Sequence, residues 1–195
     1  MAKDQNGRST ADESRSRDFL RSLKQEPDLF KRKMRLIGYV FAALAKQKVD
    51  VCLVGGEAVE LYTAGQFETG DIDITASSRA ITEELLGKLG FKRDGMILLN
   101  EELSIAFQIV ADYPSRSEKI RTLQISGFGI KVVGVEDLII DRLVAAKHWR
   151  SNPKMDLEQA TVLFRNFRAS IDPQYLRKRA EDERVEDFLQ NISKE

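Results

Sequence analysis

Cysteine, histidine, net charge and long apolar runs are all scarce in this 195-residue sequence, and each scarcity narrows what the chain can do. The one cysteine, Cys52, has no intramolecular partner for a disulfide. It lies in the apolar run Val51 to Val54, which predicts a buried thiol and a reducing compartment. The one histidine, His148, leaves histidine-built metal sites and triads without support, and its position predicts an exposed residue at a helix end. The 31 basic and 31 acidic side chains cancel, so no global field draws in a polyanion and any nucleic-acid contact must be a local patch. No stretch approaches the roughly 18 apolar residues of a membrane span. The opening segment MAKDQNGRSTADESRSRDF lacks the apolar core of a signal peptide, so the expectation is a cytoplasmic protein with no membrane partner.

What is present suits one soluble domain. The chain is 42% hydrophobic and 32% charged, enough for a sizeable core. Residues 1–16 are polar and predict a flexible N-terminal arm. Phe30, Met34, Ile37, Phe41 and Leu44 recur at steps of four and three, the stripe of an amphipathic helix. VDVCLV is too short and too β-branched for a helix and predicts a buried strand. It ends in Gly55-Gly56, after which Ala58, Leu61 and Tyr62 return to helical spacing.

DIDIT then alternates in period two, so Asp71 and Asp73 share one strand face while Ile72 and Ile74 point the other way. ITEELLGKLGF predicts a helix closed by Gly90. MILLN, SIAFQIVADY, RTLQIS and GIKVVG read as strands, separated by turn formers at Asn100, Pro114 to Ser117 and Gly127 to Gly129. VEDLIIDRLVAAKHW is helical, DLEQATVLFRNF predicts a helix capped by Asp156, and a last helix runs from Asp172-Pro173 through Phe188, Leu189 and Ile192. The expected fold is α+β: a small mixed sheet with helices packed on it over residues 17–135, then a helical part over 136–195.

Two features carry chemistry. A strand delivering two glycines to a helix N-terminus presents backbone N–H groups to an anion, and glycine lets a phosphate approach closely; the same pair also fits a tight turn needing positive φ. Glu57, in the first helical turn, would repel a phosphate unless it points away. Asp71 and Asp73, about 6.5 Å apart at Cα by strand rise, can both reach one divalent ion or two closely spaced ones. Backbone or lysine partners for the pair are the structural alternative.

Together, Gly55-Gly56 and Asp71-x-Asp73 at this separation resemble the nucleotidyltransferase superfamily of the DNA polymerase β type. VEDLIIDRLVAAKHW followed by DLEQA looks like the C-terminal signature of its small prokaryotic subgroup, which includes minimal nucleotidyltransferases and abortive-infection type toxins. The resemblance covers about residues 32 to 165. It implies that Gly55 and Gly56 hold nucleotide phosphates and that Asp71 and Asp73 hold Mg2+ or Mn2+. A nucleotidyl group would then pass from a nucleoside triphosphate to an RNA end, a protein or a small molecule.

The family's third carboxylate falls at Gln108, which offers an oxygen but neither charge nor a base. Asp112 lies on the same strand face roughly 13 Å further along by strand rise, too far to substitute without a bulge. Glu102 is distant in the other direction. Lys147, leaving an otherwise apolar helix face, is the candidate cation for the triphosphate, and Asp137 and Asp141 form a charged face running to His148. A fold that has lost turnover and serves as a nucleotide-binding or partner-binding module is the rival expectation.

Overall fold

The computed structural model describes residues 6–112, 118–148 and 152–194, without the side chains of residues 6–13 and 15. The turn expected from Pro114 to Ser117 lies outside the described residues. In chain order the elements are α1 (Asn6–Lys24), α2 (Leu29–Lys46), β1 (Val51–Leu53), α3 (Gly55–Tyr62), β2 (Asp71–Ala76), α4 (Arg79–Lys88), β3 (Lys92–Asp94), β4 (Ile97–Asn100), β5 (Ile105–Ala111), β6 (Ile120–Ile125), β7 (Phe128–Val133), α5 (Val135–His148), α6 (Pro153–Phe167), α7 (Pro173–Asp182) and α8 (Glu186–Ile192). No helix among the described residues is long and apolar enough to cross a membrane.

One mixed sheet in the order β3-β4-β5-β2-β1-β7-β6 carries the fold. β2 runs parallel to β5 and antiparallel to β1, and β1 runs parallel to β7. β2 is therefore the central strand, between the long β5 and the short β1. Ile72 and Ile74 are fully buried in the core with Leu53, Phe107 and Val132. Asp71 and Asp73, on the opposite face by strand alternation, are half-buried. The thiol of Cys52 is buried as expected, and that burial pushes its pKa up to about 12.

Four elements depart from the sequence reading. The arm expected over residues 1–16 is helical from Asn6 onward; Phe19 stacks on Tyr39 at 4.2 Å, and Ser16 Oγ lies 2.8 Å from the Tyr39 hydroxyl. β3 is an additional edge strand, paired with β4 through the Gly95-Met96 turn. Its residues Lys92, Arg93 and Asp94 are all exposed, so it lacks apolar alternation and has the charged character of a protected sheet edge.

The cap of α6 is Asn152, whose side chain accepts from the Met155 N–H, with Pro153 opening the helix. Asp156 sits inside the first turn instead and faces Arg142 at 3.3 Å. Finally, the last helix is two: Arg184 adopts φ +57°, the Val185 N–H donates to the Ala180 carbonyl, and α8 starts afresh. The Asp172 cap of α7 is as expected, accepting from Gln174 and Tyr175.

Candidate active site

The Gly55-Gly56 turn and β2 are built as one unit. Gly55 has φ +61°, in the left-handed region that favours glycine, and a Cβ placed there would lie 2.3 Å from Asp73 Oδ2. The Gly56 N–H favours the ionised Asp73 carboxylate, and the Val54 N–H donates to the Asp73 carbonyl at 3.0 Å. Both demands on Gly55, conformation and space, come from the aspartate beside it. Gly55→Ala is therefore expected to destabilise the protein by about 1–3 kcal/mol and to displace Asp73. Gly87→Ala, in a helix with nothing near the added methyl, should stabilise by up to about 1 kcal/mol. Equal unfolding midpoints for the two variants would contradict this geometry.

Burial pushes the Asp73 carboxyl up to about 6, the charge of Asp71 adds to the rise, and the Gly56 N–H opposes it. A carboxylate whose proton affinity is raised by burial and by a like charge beside it is suited to a divalent cation. Gln108 stands directly beside Asp73 in the parallel β2–β5 register, so it shares that face. Among the described residues no three acidic, histidine or cysteine groups gather closely enough to cage a metal. The donor set that fits a divalent ion is thus the Asp71–Asp73 pair, with the Gln108 side-chain oxygen as its neutral neighbour.

β5 does carry a bulge: Ile74 pairs with Ile109, but Thr75 pairs with Ala111. The bulge shortens the way to Asp112, yet one extra residue also breaks the alternation that would keep Asp112 on the Asp73 face. Asp112 ends on the rim of a cavity of about 350 Å³ whose wall includes Gly55, Asp73, Thr75 and, across from them on α5, Asp141 and Arg142. A larger hollow of about 820 Å³ lies between α1 and the β3–β4 edge and contains none of the predicted site residues. Glu102 lines that one, paired with Lys24 at 2.5 Å.

Lys147 does not reach the cavity. Its ammonium donates to the Arg184 carbonyl and lies 3.8 Å from Asp187, so it ties α5 to the α7–α8 bend, where free helix-end carbonyls attract a cation. The structure thus gives Lys147 protein partners in place of the phosphate expected for it. Asp137 is not part of a charged outer face either: it lines the cavity but is held by protein partners. Only 3% exposed, it accepts from the Tyr175 hydroxyl at 2.8 Å, from Arg179 Nε at 2.8 Å and from the Lys119 N–H at 2.8 Å. His148 is exposed at the end of α5, as its position predicts.

Beneath the glycine turn lies a buried ionic network that the sequence reading missed. Lys33 of α2 is 3% exposed. Its ammonium donates to Glu57 at 2.7 Å and also to Glu60. The Thr69 hydroxyl donates to Glu57 at 2.8 Å, and the Thr69 N–H donates to Glu60 at 3.0 Å. Thr69 also packs where a Cβ on Gly56 would fall and sits two residues before Asp71, so the network fixes the turn and β2 relative to each other. Glu57 points into it and away from any phosphate. The signal available was a cation inside an apolar stripe, Phe30-x-x-Lys33-Met34-x-x-Ile37.

Lys33→Met should destabilise by about 3–5 kcal/mol, because it leaves buried carboxylates unpaired; urea denaturation measures it. Burial pushes Glu57 up to about 7 despite Lys33. A carboxyl raised in the fold favours folding below about pH 4.5, and that contribution is lost as pH rises through about 7. Glu57→Gln should accordingly flatten the stability profile between pH 5 and 8, and an unchanged slope would remove Glu57 as its source.

With this geometry in view, the comparisons with known proteins are decisive for family. The model of a family described as nucleotidyltransferases of unknown function, DUF6036, matches residues 39–193. The chain belongs to that nucleotidyltransferase family. No curated protein matches it significantly.

Among solved structures it is similar to an antigenic nucleotidyltransferase-like protein from Paracoccidioides brasiliensis, at 13% identity over 82% of this chain and 91% of that one, with a TM-score of 0.56. It is also similar to ANT(2")-Ia in complex with adenylyl-2"-tobramycin, at 15% identity over 78% of this chain and 97% of that one, with a TM-score of 0.57. At such identities the likeness speaks to the fold, and the fold of this DUF6036 chain is nucleotidyltransferase-like.

Proposed function

We propose that the chain transfers a nucleotidyl group from a nucleoside triphosphate to an acceptor hydroxyl in a magnesium-dependent reaction. The observation that carries this reading is the contact between the Gly55-Gly56 turn and Asp73, which puts a helix N-terminus and a paired carboxylate in one place. Gly55 and Gly56 receive the phosphates at the start of α3, where backbone N–H groups favour an anion. Asp71 and Asp73 hold the divalent ion, which supplies charge neutralisation at the α-phosphoryl group and at departing pyrophosphate. The acceptor oxygen forms a bond to the α-phosphorus as the bond to the bridging oxygen breaks, and pyrophosphate leaves with that electron pair. Gln108 cannot take the acceptor's proton, so it leaves to Asp71, Asp73 or water.

A second reading follows from Gln108 itself. Without a third acid beside Asp73, the fold can bind nucleotide and serve as a binding module. Pyrophosphate release, screened across the four nucleoside triphosphates with magnesium and with RNA, protein and small-molecule acceptors, separates the two. Release that requires magnesium supports transfer, whereas magnesium-dependent nucleotide binding without release supports the module. Neither binding nor release removes both.

A further inference from the structure

The glycine turn is joined to β2 at two points. One is the contact of Gly55 with Asp73. The other runs through Thr69, two residues before Asp71, which meets three parts of the site. Its hydroxyl donates to Glu57 at 2.8 Å and lies 3.1 Å from Glu60 Oε2 and 3.3 Å from the Asp71 carbonyl oxygen. Its N–H donates to Glu60 at 3.0 Å. Its methyl lies 2.8 Å from where a Cβ on Gly56 would fall. A single contact would fix a distance and leave α3 free to pivot about it, whereas a second one fixes orientation.

The cluster behind Thr69 is a poor way to gain stability. Glu57 and Glu60 share the ammonium of Lys33, and Glu57 Oε1 is buried with no hydrogen-bond partner among the described residues. Apolar residues of similar volume often serve stability as well as a buried ion cluster does. What such a cluster can supply is a single arrangement of the elements that carry it. Here those elements are α2, the helix that starts at the glycine turn, and the segment leading into β2.

Resting on the nucleotidyl-transfer reading, we infer that Thr69 is a positioning residue for the reaction: its hydroxyl, held by the Lys33–Glu57–Glu60 cluster, sets the phosphate turn in register with the metal strand. It acts through Gly56 and Asp71, not on a reactant. A divalent ion shared between two carboxylates and a triphosphate must meet both partners at once, and a misplacement of about 1 Å can cost about a hundredfold in rate. Loss of the hydroxyl should therefore appear as a loss of coupling between metal and nucleotide.

The test uses the full chain with Thr69→Val, which removes the hydroxyl and keeps the shape, and Thr69→Ser, which keeps the hydroxyl and removes the methyl. Calorimetry measures the affinity for a non-hydrolysable nucleoside triphosphate analogue with and without manganese, and for manganese with and without the analogue. Magnesium-dependent pyrophosphate release is followed well below each melting point. In Thr69→Val each ligand alone should bind within about threefold of the parent, while the factor by which one tightens the other falls about tenfold. kcat should fall by about a hundredfold, more than KM rises. Thr69→Ser should keep both the coupling and kcat close to the parent.

Coupling and kcat unchanged in Thr69→Val, with only the melting point lowered, would make the hydroxyl structural and overturn the inference. So would a Thr69→Ser chain as impaired as Thr69→Val, or a Thr69→Val chain that does not fold while Thr69→Ser does. Failure of the nucleotidyl-transfer reading has a different signature: a parent chain that binds no nucleotide, with metal or without it. A parent that couples the two ligands, beside a Thr69→Val chain that couples them equally, removes this inference alone.

Discussion

Asp73→Asn is expected to reduce magnesium-dependent pyrophosphate release by at least about a thousandfold, because one of two charged metal ligands is lost at the centre of the site. The same change should make the metal-free protein more stable. Asp73 is held up to about 6 by burial and by Asp71, so its ionised form is disfavoured in the fold. Below about pH 3.8 this group favours folding fully, and the contribution is lost as pH rises through about 6. Asparagine never ionises. At pH 7.5 the variant should therefore exceed the parent by about 1–2 kcal/mol after discounting for partial solvent access, with the gap closing toward pH 4.

Magnesium should reverse the order by stabilising the parent alone, through preferential binding to the folded state. Denaturant unfolding with and without magnesium reads all of this. A large loss of metal-free stability in Asp73→Asn, with metal affinity unchanged, would make the pair structural.

Gln108→Glu has the opposite expected sign. Gln108 stands beside Asp73 across the β2–β5 ladder, so glutamate there adds a third charge to the face and a group able to take the acceptor's proton. General-base catalysis is worth typically 100-fold to 10,000-fold, and turnover should rise by something in that range if the parent lacks a base. An efficient parent would show little change, which would mean that two acids suffice. Steady-state rates and bound-metal counts for parent and variant, side by side, distinguish these results. A variant that gains neither metal nor rate, alongside a parent silent with every nucleotide, would favour the binding module.

The site was legible in the sequence to the extent that it is local. Alternation in Asp71-Ile72-Asp73-Ile74 sorts carboxylates from core without any tertiary information, and Gly55-Gly56 marks a backbone constraint whose cause, the Asp73 oxygen, lies eighteen residues on. The pairing of Gln108 with Asp73 depended on family resemblance, since strand order cannot be read from one strand. Lys147 shows the limit: an ammonium leaving an apolar helix face reads the same whether it meets phosphate or the carbonyl of Arg184.

Asp156 shows another limit, because a cap signature can be displaced when Asn152-Pro153 offers a better one four residues earlier, at Asn152. The β3 strand has no periodicity to detect. The cavity itself was not readable at all, as its walls on β2 and α5 come together only through the packing of α5 across the sheet.

The most direct test of the account is where a divalent ion settles. Manganese, added at low ratio with a non-hydrolysable nucleoside triphosphate analogue, broadens amide NMR signals by proximity. The account predicts selective loss of the signals of Gly55, Gly56 and residues 71–75, abolished in Asp73→Asn. Broadening centred instead on the acidic residues of the β3–β4 edge, Asp94, Glu101 and Glu102, with Gly55 and Asp73 untouched, would contradict it.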